Sequence, residues 1–466
     1  MLRIRKILLV TPKRWKSRKS NDNDKKTTKN HALEKMDDFY GSVFGNRWKS
    51  IRIALLSEHK YVSVINNFGD REKTTASLEN AGAINIKDLI SLEKEKLQKE
   101  NTGLGNEKTT YKMDNVISGI IKEQETRELK SIYPESESSE NEARDDLESR
   151  RIVNVEEGTG GLYEFVPATK IKGMEDWIPE SDHYKYYKTT HDFPLSFELE
   201  KDFSMPENIS LYTFEMGNTT DFMSPKKCST GVLSHYLMDG ASILPPLLLG
   251  PFDKGEKILD ACSAPGGKSL LMLQNITPEL LVCNDIQESR LKRIRKVMKE
   301  YVFDFEEKWE GKRCILSKSD ARNLQDYGSY DKVLVDVPCT TDRHSLHVDD
   351  NNIFKGGRIK ERLRLPEMQS EILANCVRLL KPGGSLVYST CSLSPVQNDG
   401  VVHMGLQKAF QDHNITCTIK DLSSVIRLFT NIFKFENSQN LKYGQLVLPY
   451  LPANFGPMYF CKIVRN

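Results

Sequence analysis

The sequence has little excess charge and no long apolar segment. Its 466 residues include 67 Lys and Arg against 65 Asp and Glu, a formal net charge of +2, so the chain as a whole lacks the strong positive charge of a general nucleic-acid binder. No apolar run approaches the about 20 residues that a membrane-spanning helix requires, and we expect no membrane partner. Internal repeats at the periods of solenoid proteins are also missing. Any nucleic acid would therefore be bound through local basic patches.

Closely paired cysteines are missing as well. The nine cysteines begin at Cys228 and are scattered toward the C-terminus, without the spacing of a metal site or a disulfide framework. This pattern indicates free thiols in a reducing compartment. His344 and His347 follow Cys339, but they are too few for a structural zinc site, and we predict no metal. Several other thiols are expected to be small buried hydrophobes: Cys283, Cys314, Cys376, Cys417 and Cys461.

The stretch 257–273 is the one around which the rest of the chain is interpreted. An apolar run ends at Asp260, a Pro-Gly-Gly turn follows, and a helical pattern begins at about Gly267, which is typical of a strand, a tight loop and a helix N-terminus. A triphosphate-binding loop would need glycine at Cys262, and the dinucleotide fingerprint is absent. A nucleoside ligand without a triphosphate remains, such as S-adenosylmethionine, whose amino-acid tail suits a helix N-terminus. An ordinary strand-to-helix turn is the alternative that binds nothing.

Strands and helices alternate through the following residues. We predict strands at 280–284, 314–317, 332–337 and 385–389, and helices at 288–301 and 366–380. The alternation predicts an α/β fold with a mostly parallel sheet and helices on both faces. Ligands of such sheets lie at the carboxyl ends of the strands. The polar residues predicted at that edge are Asp260, Asp285, Asp320, Asp336, Cys339 and Cys391.

Two of these acids suit an adenosine. Asp285 follows Asp260 at about the interval at which doubly wound folds place a carboxylate on the ribose hydroxyls. Asp320, after the next strand, could accept a hydrogen bond from the adenine amino group, although an isolated loop aspartate is more often a turn or helix cap. Four carboxylates at four strand ends are harder to explain as caps together than singly.

Cys339 and Cys391 differ from the other cysteines, because each ends a predicted strand beside turn-type residues. If their strands are neighbours in the sheet, the two thiols converge over one cofactor despite their distance in sequence. Two thiols beside a methyl donor indicate covalent catalysis.

The N-terminal half is less regular. Residues 1–30 start with a basic, acid-poor and amphipathic stretch, typical of a mitochondrial targeting segment, with a basic tail or a nucleic-acid-binding arm as alternatives. Residues 31–68 show helix-like spacing and predict a helical module. Residues 69–190 contain an acidic, serine-rich run and predict a largely disordered insertion, a solvated linker being favoured over a segment that binds a basic partner. Residues 191–250 are interpreted as an N-terminal extension of a catalytic domain at 251–466.

Three motifs together resemble the NSUN (Nol/Nop/Sun-domain) family of RNA cytosine-5 methyltransferases: residues 260–268, 336–339 and 389–392. Four further segments are similar to its mitochondrial ribosomal-RNA branch: residues 44–52, 236–239, 336–354 and 453–460. The resemblance covers about 36–68 and then 228–466. Ser263 and Ser269 replace the more usual Ala and Thr, and Asp399 stands where Glu is common. None of these departures removes a group that the chemistry needs.

The resemblance implies a Rossmann-like, S-adenosylmethionine-dependent methyltransferase domain. In this family a thiolate adds to carbon-6 of cytosine, because carbon-5 alone is a poor nucleophile. The resemblance implies Cys391 as the nucleophile and Cys339 as the residue that assists release of methylated RNA. The sequence alone leaves these roles open, since DNA cytosine methyltransferases attack with the Pro-Cys thiol. Asp336 and Lys268 would orient the base and help the proton transfers. The implied cofactor-binding residues are Gly266, Gly267, Lys268, Asp285, Arg290, Asp320 and Asp336.

Partners follow partly from charge and partly from the resemblance. The basic segment 355–364 adjoins Cys339 and is the better phosphate binder, whereas the basic helix 288–301 has a buried side and is equally well explained as a solvated face. The resemblance implies mitochondrial small-subunit ribosomal RNA as substrate, action in the matrix, support of ribosome assembly on the small or large subunit, and a partner of the mitochondrial transcription-termination-factor family. An assembly factor whose scaffolding outweighs methylation, and a transfer-RNA cytosine-5 methyltransferase, are the alternatives.

Overall fold

The computed structural model of the protein describes residues 27–101, 193–201, 203–275 and 278–466. The helices in these ranges are α1 Thr28–Phe44, α2 Trp48–Leu56, α3 Arg71–Asn80, α4 Ile86–Asn101, α5 Leu244–Leu249, α6 Gly267–Gln274, α7 Glu288–Tyr301, α8 Asp342–His347, α9 Ile359–Leu379, α10 Val401–His413 and α11 Ser423–Ile426. The strands are β1 Tyr61–Ile65, β2 Ile84–Asn85, β3 Leu195–Leu199, β4 Leu211–Thr213, β5 His235–Asp239, β6 Lys257–Asp260, β7 Leu280–Asn284, β8 Cys314–Ser317, β9 Tyr330–Asp336, β10 Leu380–Thr390, β11 Cys417–Asp421, β12 Gln445–Val447 and β13 Met458–Arg465.

A nine-stranded sheet forms the centre of the described part of the chain. Its order is β3-β11-β13-β10-β9-β6-β7-β8, with β12 also paired to β13. The run from β10 to β8 is parallel, and β13 pairs antiparallel with β10, β11 and β12. Because the parallel strands share one direction, their carboxyl ends meet at one edge of the sheet.

Helices cover both faces of this sheet. On β9, Leu334 packs into a core with Leu270 of α6 and Ile294 of α7, while the alternating neighbours Val333 and Val335 pack into a second core with α9 and α10. Strands buried on both faces read as continuous apolar runs, as β9 does. The predicted α/β fold class with helices on both faces is therefore confirmed.

A second, four-stranded sheet lies beside the α6 face, with the order β2-β4-β1-β5. Strand β1 pairs antiparallel with β5 over its full length, from Tyr61 opposite Asp239 to Ile65 opposite His235. Val62 and Val64 are buried in the same core as Leu270. The small sheet therefore forms a wall above the helix that follows the central loop.

The N-terminal helices pack against the opposite core. Helix α1 is capped by the Thr27 side chain and buries Ala32, Met36, Tyr40 and Phe44, a stripe at intervals of four residues that lies along one helix face. These side chains join the core that contains α9 and α10. Helix α1 therefore belongs to the same packed unit as the large sheet.

The element predictions for the C-terminal half agree closely with the structure. The expected bounds of β7, α7 and β8 are those observed, and β9 begins at Tyr330 rather than at residue 332. Helix α9 begins already at Ile359, with Pro366 inside it. The turn expected at 381–384 lies within β10 as an irregularity, where the pairing register with β9 shifts between Leu380 and Ser385.

Two predictions for the N-terminal half are wrong. The helical pattern does not continue to residue 68, because Tyr61–Ile65 forms strand β1. Disorder does not begin at residue 69, because α3, β2 and α4 follow, and Leu78, Ile86 and Ile90 of these helices are buried. The rest of the predicted insertion, and the targeting segment up to residue 26, lie outside the described residues.

None of the helices in the described ranges is long and apolar enough to cross a membrane.

Candidate active site

The loop between β6 and α6 has the predicted strand, tight turn and helix N-terminus. Gly266 has a φ of 109°, a left-handed conformation that glycine adopts without steric cost. A Cβ on Gly267 would lie 2.9 Å from the Tyr236 ring, so the small sheet approaches this loop too closely for any side chain. Tyr236, which belongs to the resembling segment 236–239 but was not predicted as a site residue, therefore packs directly over the loop.

The two serines that depart from the family pattern fill the inside of this loop. Ser269 Oγ donates to Asp260 Oδ2 at 2.5 Å, and Ser263 Oγ lies 2.7 Å from Ser269 Oγ. Asp260 is 1% exposed, and its Oδ1 has no hydrogen-bond partner within the described part of the chain. Burial raises the pKa of Asp260 to about 7, against the opposing hydrogen bond from Ser269. The Asp260 carboxyl therefore has one oxygen without a hydrogen-bond partner and a pKa close to neutral pH.

A cavity of about 270 Å³ opens above the loop. Its lining includes Tyr61 and Tyr236 from the small sheet and Asp260, Gly267 and Lys268 from the large sheet and its loop. The cavity thus lies between the two sheets, at the carboxyl end of β6.

Asp285 and Arg290 lie at one side of the loop between β6 and α6. Asp285 is 2% exposed, and its Oδ2 lies 3.4 Å from Arg290 Nε. Arg290 also donates to the Ala264 carbonyl at 3.1 Å. The pair therefore ties the end of β7 to the Pro-Gly-Gly turn, and the cofactor roles of Asp285 and Arg290 stay predictions.

Asp320 is placed differently from the other strand-end acids. Its side chain caps the short helical turn that follows β8 and accepts from Arg322 N at 3.0 Å. It also pairs with the Arg322 guanidinium at 2.7 Å, and this hydrogen bond lowers the pKa of Asp320. The cap that the sequence left open as an alternative is thus present, and the cofactor role of Asp320 stays a prediction.

Lys268 and Asp336 form an ion pair at the end of β9. Lys268 Nζ lies 2.7 Å from Asp336 Oδ2, and Ser389 Oγ donates to Asp336 Oδ1 at 2.8 Å. Their side chains are 14% and 26% exposed. Burial is the largest influence and acts to lower the pKa of Lys268, but the charge and hydrogen bond of Asp336, with the nearby Cys391 and Asp260, together raise it. Lys268 is therefore a fixed ammonium that faces the cavity.

Cys339 and Cys391 converge as the neighbouring-strand hypothesis predicts. Strands β9 and β10 are parallel neighbours, and the two Sγ atoms are 3.0 Å apart. Cys339 is 8% exposed, whereas Cys391 is half-buried. The hydrogen bond with Cys339, burial and the Asp336 charge raise the pKa of Cys391, and the Lys268 charge opposes them. The two thiols, an ammonium and a carboxylate therefore form one cluster.

Several residues of the predicted basic surfaces pair with acids. On α7, Arg295 pairs with Glu310 and Lys299 with Glu306, which favours a solvated face. In the segment after Cys339, Arg358 pairs with Glu361. His347 Nε2 lies 2.8 Å from the Leu55 carbonyl, and no group of His, Cys, Asp and Glu that could hold a metal ion occurs among the described residues.

Comparison with known proteins identifies the family. The family described as 16S rRNA methyltransferase RsmB/F matches residues 246–433. The 5-cytosine rRNA methyltransferase nsun-4 of Caenorhabditis elegans is 33% identical over 94% of this chain and 92% of its own length. NSUN4 of Xenopus tropicalis is 36% identical over 93% of this chain and 90% of its own length.

A relative named for another RNA is also similar. The mouse mitochondrial tRNA (cytosine(34)-C(5))-methyltransferase is 33% identical over 63% of this chain and 85% of its own length. The predicted resemblance, enzyme class and cofactor are confirmed by these matches. The chain belongs to the NSUN, or RsmB/F, family of S-adenosylmethionine-dependent RNA cytosine-5 methyltransferases.

Proposed function

We propose that this protein methylates carbon-5 of a cytosine in ribosomal RNA, with Cys391 as the covalent nucleophile. The supporting observation is the cluster of Cys391, Cys339, Lys268 and Asp336 beside the cavity. Cys391 is the more exposed thiol of the pair, and the charges of Lys268 and Asp336 both act on it. A substrate base that approaches this cluster would meet the Cys391 thiol before that of Cys339.

The residues around the cavity suit S-adenosylmethionine. Asp260 offers an unsatisfied buried oxygen for a cationic group, and Lys268 and Asp336 line the same cavity. Gly266, Asp285 and Arg290 would hold the nucleoside. Asp320 would accept a hydrogen bond from the adenine once its ion pair with Arg322 opens. The bound cofactor supplies an electrophilic methyl group.

The protein's own residues would act in sequence on cytosine. The Cys391 thiolate adds to carbon-6, so that carbon-5 becomes nucleophilic. Lys268 stabilises the thiolate and, with Asp336, orients the base through hydrogen bonds. After methyl transfer a base removes the carbon-5 proton, the bond from Cys391 to carbon-6 breaks, and the Cys339 thiol next to it assists release. Because the pKa of Cys391 is raised in the free protein, thiolate formation would accompany substrate binding.

Covalent-adduct analysis tests these roles. In Cys391→Ala, we expect both the RNA adduct on a denaturing gel and methyl transfer to vanish. In Cys339→Ala, adduct should accumulate because release is impaired. Cys283→Ala is the matched control, since Cys283 is also within reach of a second thiol but lies inside a strand. Accumulated adduct in Cys391→Ala would reverse the assignment.

We further propose that the enzyme acts in the mitochondrial matrix on small-subunit ribosomal RNA and supports ribosome assembly. Two relatives that match over 90% or more of their own length are named ribosomal-RNA enzymes, and residues 1–20 have the basic, acid-poor composition of an import signal. Bisulfite sequencing of mitochondrial ribosomal and transfer RNA, with and without the protein, tests the substrate. Loss of methylation in transfer RNA alone would contradict the proposal.

Recruitment and scaffolding need separate tests. We propose that a partner of the mitochondrial transcription-termination-factor family recruits the enzyme, and full affinity of the purified protein alone for its ribosomal RNA would count against this. Complementation of a deletion strain with Cys391→Ala separates methylation from scaffolding. Full recovery of ribosome assembly would favour the scaffold alternative.

A further inference from the structure

A buried carboxylate that the proposed mechanism does not use lies between the two cysteine loops. Asp342 is 0% exposed and begins α8, just after Cys339. Its Oδ1 accepts from Thr340 Oγ1 at 2.5 Å, and its Oδ2 accepts from Leu393 N at 2.7 Å. Thr340 follows Cys339, and Leu393 stands two residues after Cys391. One side chain therefore holds both cysteine-bearing loops.

The same contact is reinforced by the surrounding polar groups. Ser392 Oγ lies 3.3 Å from both oxygens of Asp342 and 2.8 Å from Thr340 Oγ1. The Asp342 backbone N donates to the Cys391 carbonyl at 3.4 Å. A buried carboxylate is costly unless it is hydrogen-bonded, and here the donors come from the two loops whose relative position sets the 3.0 Å distance between the thiols.

A further donor comes from outside the large sheet and its loops. Tyr40 of α1 donates its hydroxyl to Asp342 Oδ2 at 2.6 Å. The Tyr40 side chain is 3% exposed, and its ring packs against Trp48 at a centroid distance of 5.3 Å. A residue 302 positions away in sequence thus completes the support of the catalytic loops.

Helix α8 is also anchored to α2 by the residue that follows Asp342. Arg343 donates to the carbonyls of Ala54 and Ser57 at 2.9 and 3.0 Å, and to Asn454 Oδ1 at 2.8 Å. The side chains of Asp342 and Arg343 therefore contact α1 and α2 respectively. Helices α1 and α2 are thus both hydrogen-bonded to the start of α8, which directly follows the loop that carries Cys339.

We propose that Asp342 is the positioning residue for the Cys339 and Cys391 thiols, and that the Tyr40 hydroxyl of α1 is required to hold it in place. This inference rests on the proposed covalent mechanism. Displacement of reacting groups by about 1 Å can cost on the order of 100-fold in rate, so the alignment of both loops by one carboxylate has a kinetic consequence. The N-terminal helices are then part of the catalytic apparatus without touching substrate.

The sharpest test removes only one hydroxyl. In Tyr40→Phe, we expect kcat to fall about 10-fold, since a hydrogen bond to a charged group contributes this order of magnitude. The KM for S-adenosylmethionine should change by less than about twofold, because the cavity residues stay in place. Tyr330→Phe is the matched control: it removes another tyrosine-aspartate bond, 3.2 Å from Tyr330 Oη to Asp326 Oδ2, away from the cysteines.

Thiol alkylation gives a readout that a general loss of packing would not reproduce. In folded Tyr40→Phe, the ratio of the iodoacetamide reaction rates at Cys339 and Cys391 should differ from the wild-type ratio. The rate at Cys376, which is buried in the second core, should be unchanged. Asp342→Asn should lower kcat by on the order of 100-fold. If that variant does not fold, Tyr40→Phe decides.

Two results would overturn the inference: wild-type kcat in Tyr40→Phe, or an equal loss in Tyr330→Phe. Failure of the proposed function is distinguishable, because Cys339→Ala would then accumulate no RNA adduct on a denaturing gel.

Discussion

Two pairs of cysteines lie on, or just beyond the ends of, neighbouring strands of the same sheet and differ in their exposure and in the charges around them. Cys283 and Cys314 face each other across β7 and β8, with Sγ atoms 3.9 Å apart. Cys339 and Cys391 lie 3.0 Å apart beyond the ends of β9 and β10. Both pairs join neighbouring parallel strands, so proximity of two thiols is a common result of sheet geometry and does not by itself make a reactive site.

The difference lies in the surroundings. Cys283 is 0% exposed among apolar side chains, and its hydrogen bond with Cys314 together with burial raises its pKa. Cys391 has a raised pKa for similar reasons, but the Lys268 charge opposes the rise, and Cys391 is half-buried whereas Cys283 is fully buried. A cation at the strand ends therefore separates a potential nucleophile from a structural thiol.

The largest predicted effect comes from removing that cation. Lys268→Met should slow methyl transfer by about 100- to 10,000-fold, the range for loss of a group that assists proton transfer and charge stabilisation. Single-turnover transfer of labelled methyl groups to RNA measures this. Lys332→Met is the control, because Lys332 forms a similarly buried ion pair with Glu256 at 2.6 Å, away from the cysteines. Comparable loss in both variants would contradict a specific role.

The next effect concerns reactivity. Iodoacetamide should modify Cys391 in the folded protein and inactivate it, while Cys283 and Cys314 should react on the order of 1000-fold more slowly, since they need unfolding to become accessible. Peptide mass spectrometry over a time course distinguishes the sites. Bound RNA should protect Cys391 alone. Equal rates at both pairs would show that the sheet edge gives no selectivity.

The smallest predicted effect is the release of a proton when the cofactor binds. Asp260 holds its proton below its pKa of about 7, and a cationic sulfonium nearby favours the carboxylate. Binding therefore releases up to about one proton below about pH 7, and affinity rises with pH up to about 7 and is constant above it. Calorimetry in buffers of different ionisation heat measures the release. S-adenosylhomocysteine, which lacks the sulfonium charge, should release less, and Asp260→Asn should abolish the linkage; an unchanged linkage in that variant would refute the assignment.

Much of the large sheet and its edge could be predicted from the sequence. Cys339 and Cys391 stand 52 residues apart, yet strand ends in a parallel sheet share one edge, so their convergence followed from the alternating pattern. The bounds of β7, α7 and β8 followed from sharp changes between apolar and turn residues. The domain boundaries remain a prediction, although β3 and β5 show that residues 191–250 contribute strands to both sheets.

The rest depended on contacts between distant segments. Strand β1 has four consecutive buried residues, Val62 to Ile65, so its apolar pattern does not alternate and is easily taken for a helix. Asp342 reads as an ordinary loop acid until Tyr40 is placed beside it. Tyr236 becomes part of the site only because β5 passes over Gly267. No pattern within a single segment of the sequence predicts these contacts.

The position of β13 has a consequence for the order of folding. Met458–Arg465 lies between β10 and β11 and also pairs with β12, so the side of β10 that carries the register from Ser385 to Thr390 has no partner until this C-terminal strand docks. Pairing between segments that are distant in sequence is slow, because the loop between them must close before any contact forms. Until β13 docks, the exposed edge of β10 is available to a chaperone or to another chain. Completion of the sheet edge next to Cys391 is therefore coupled to docking of β13.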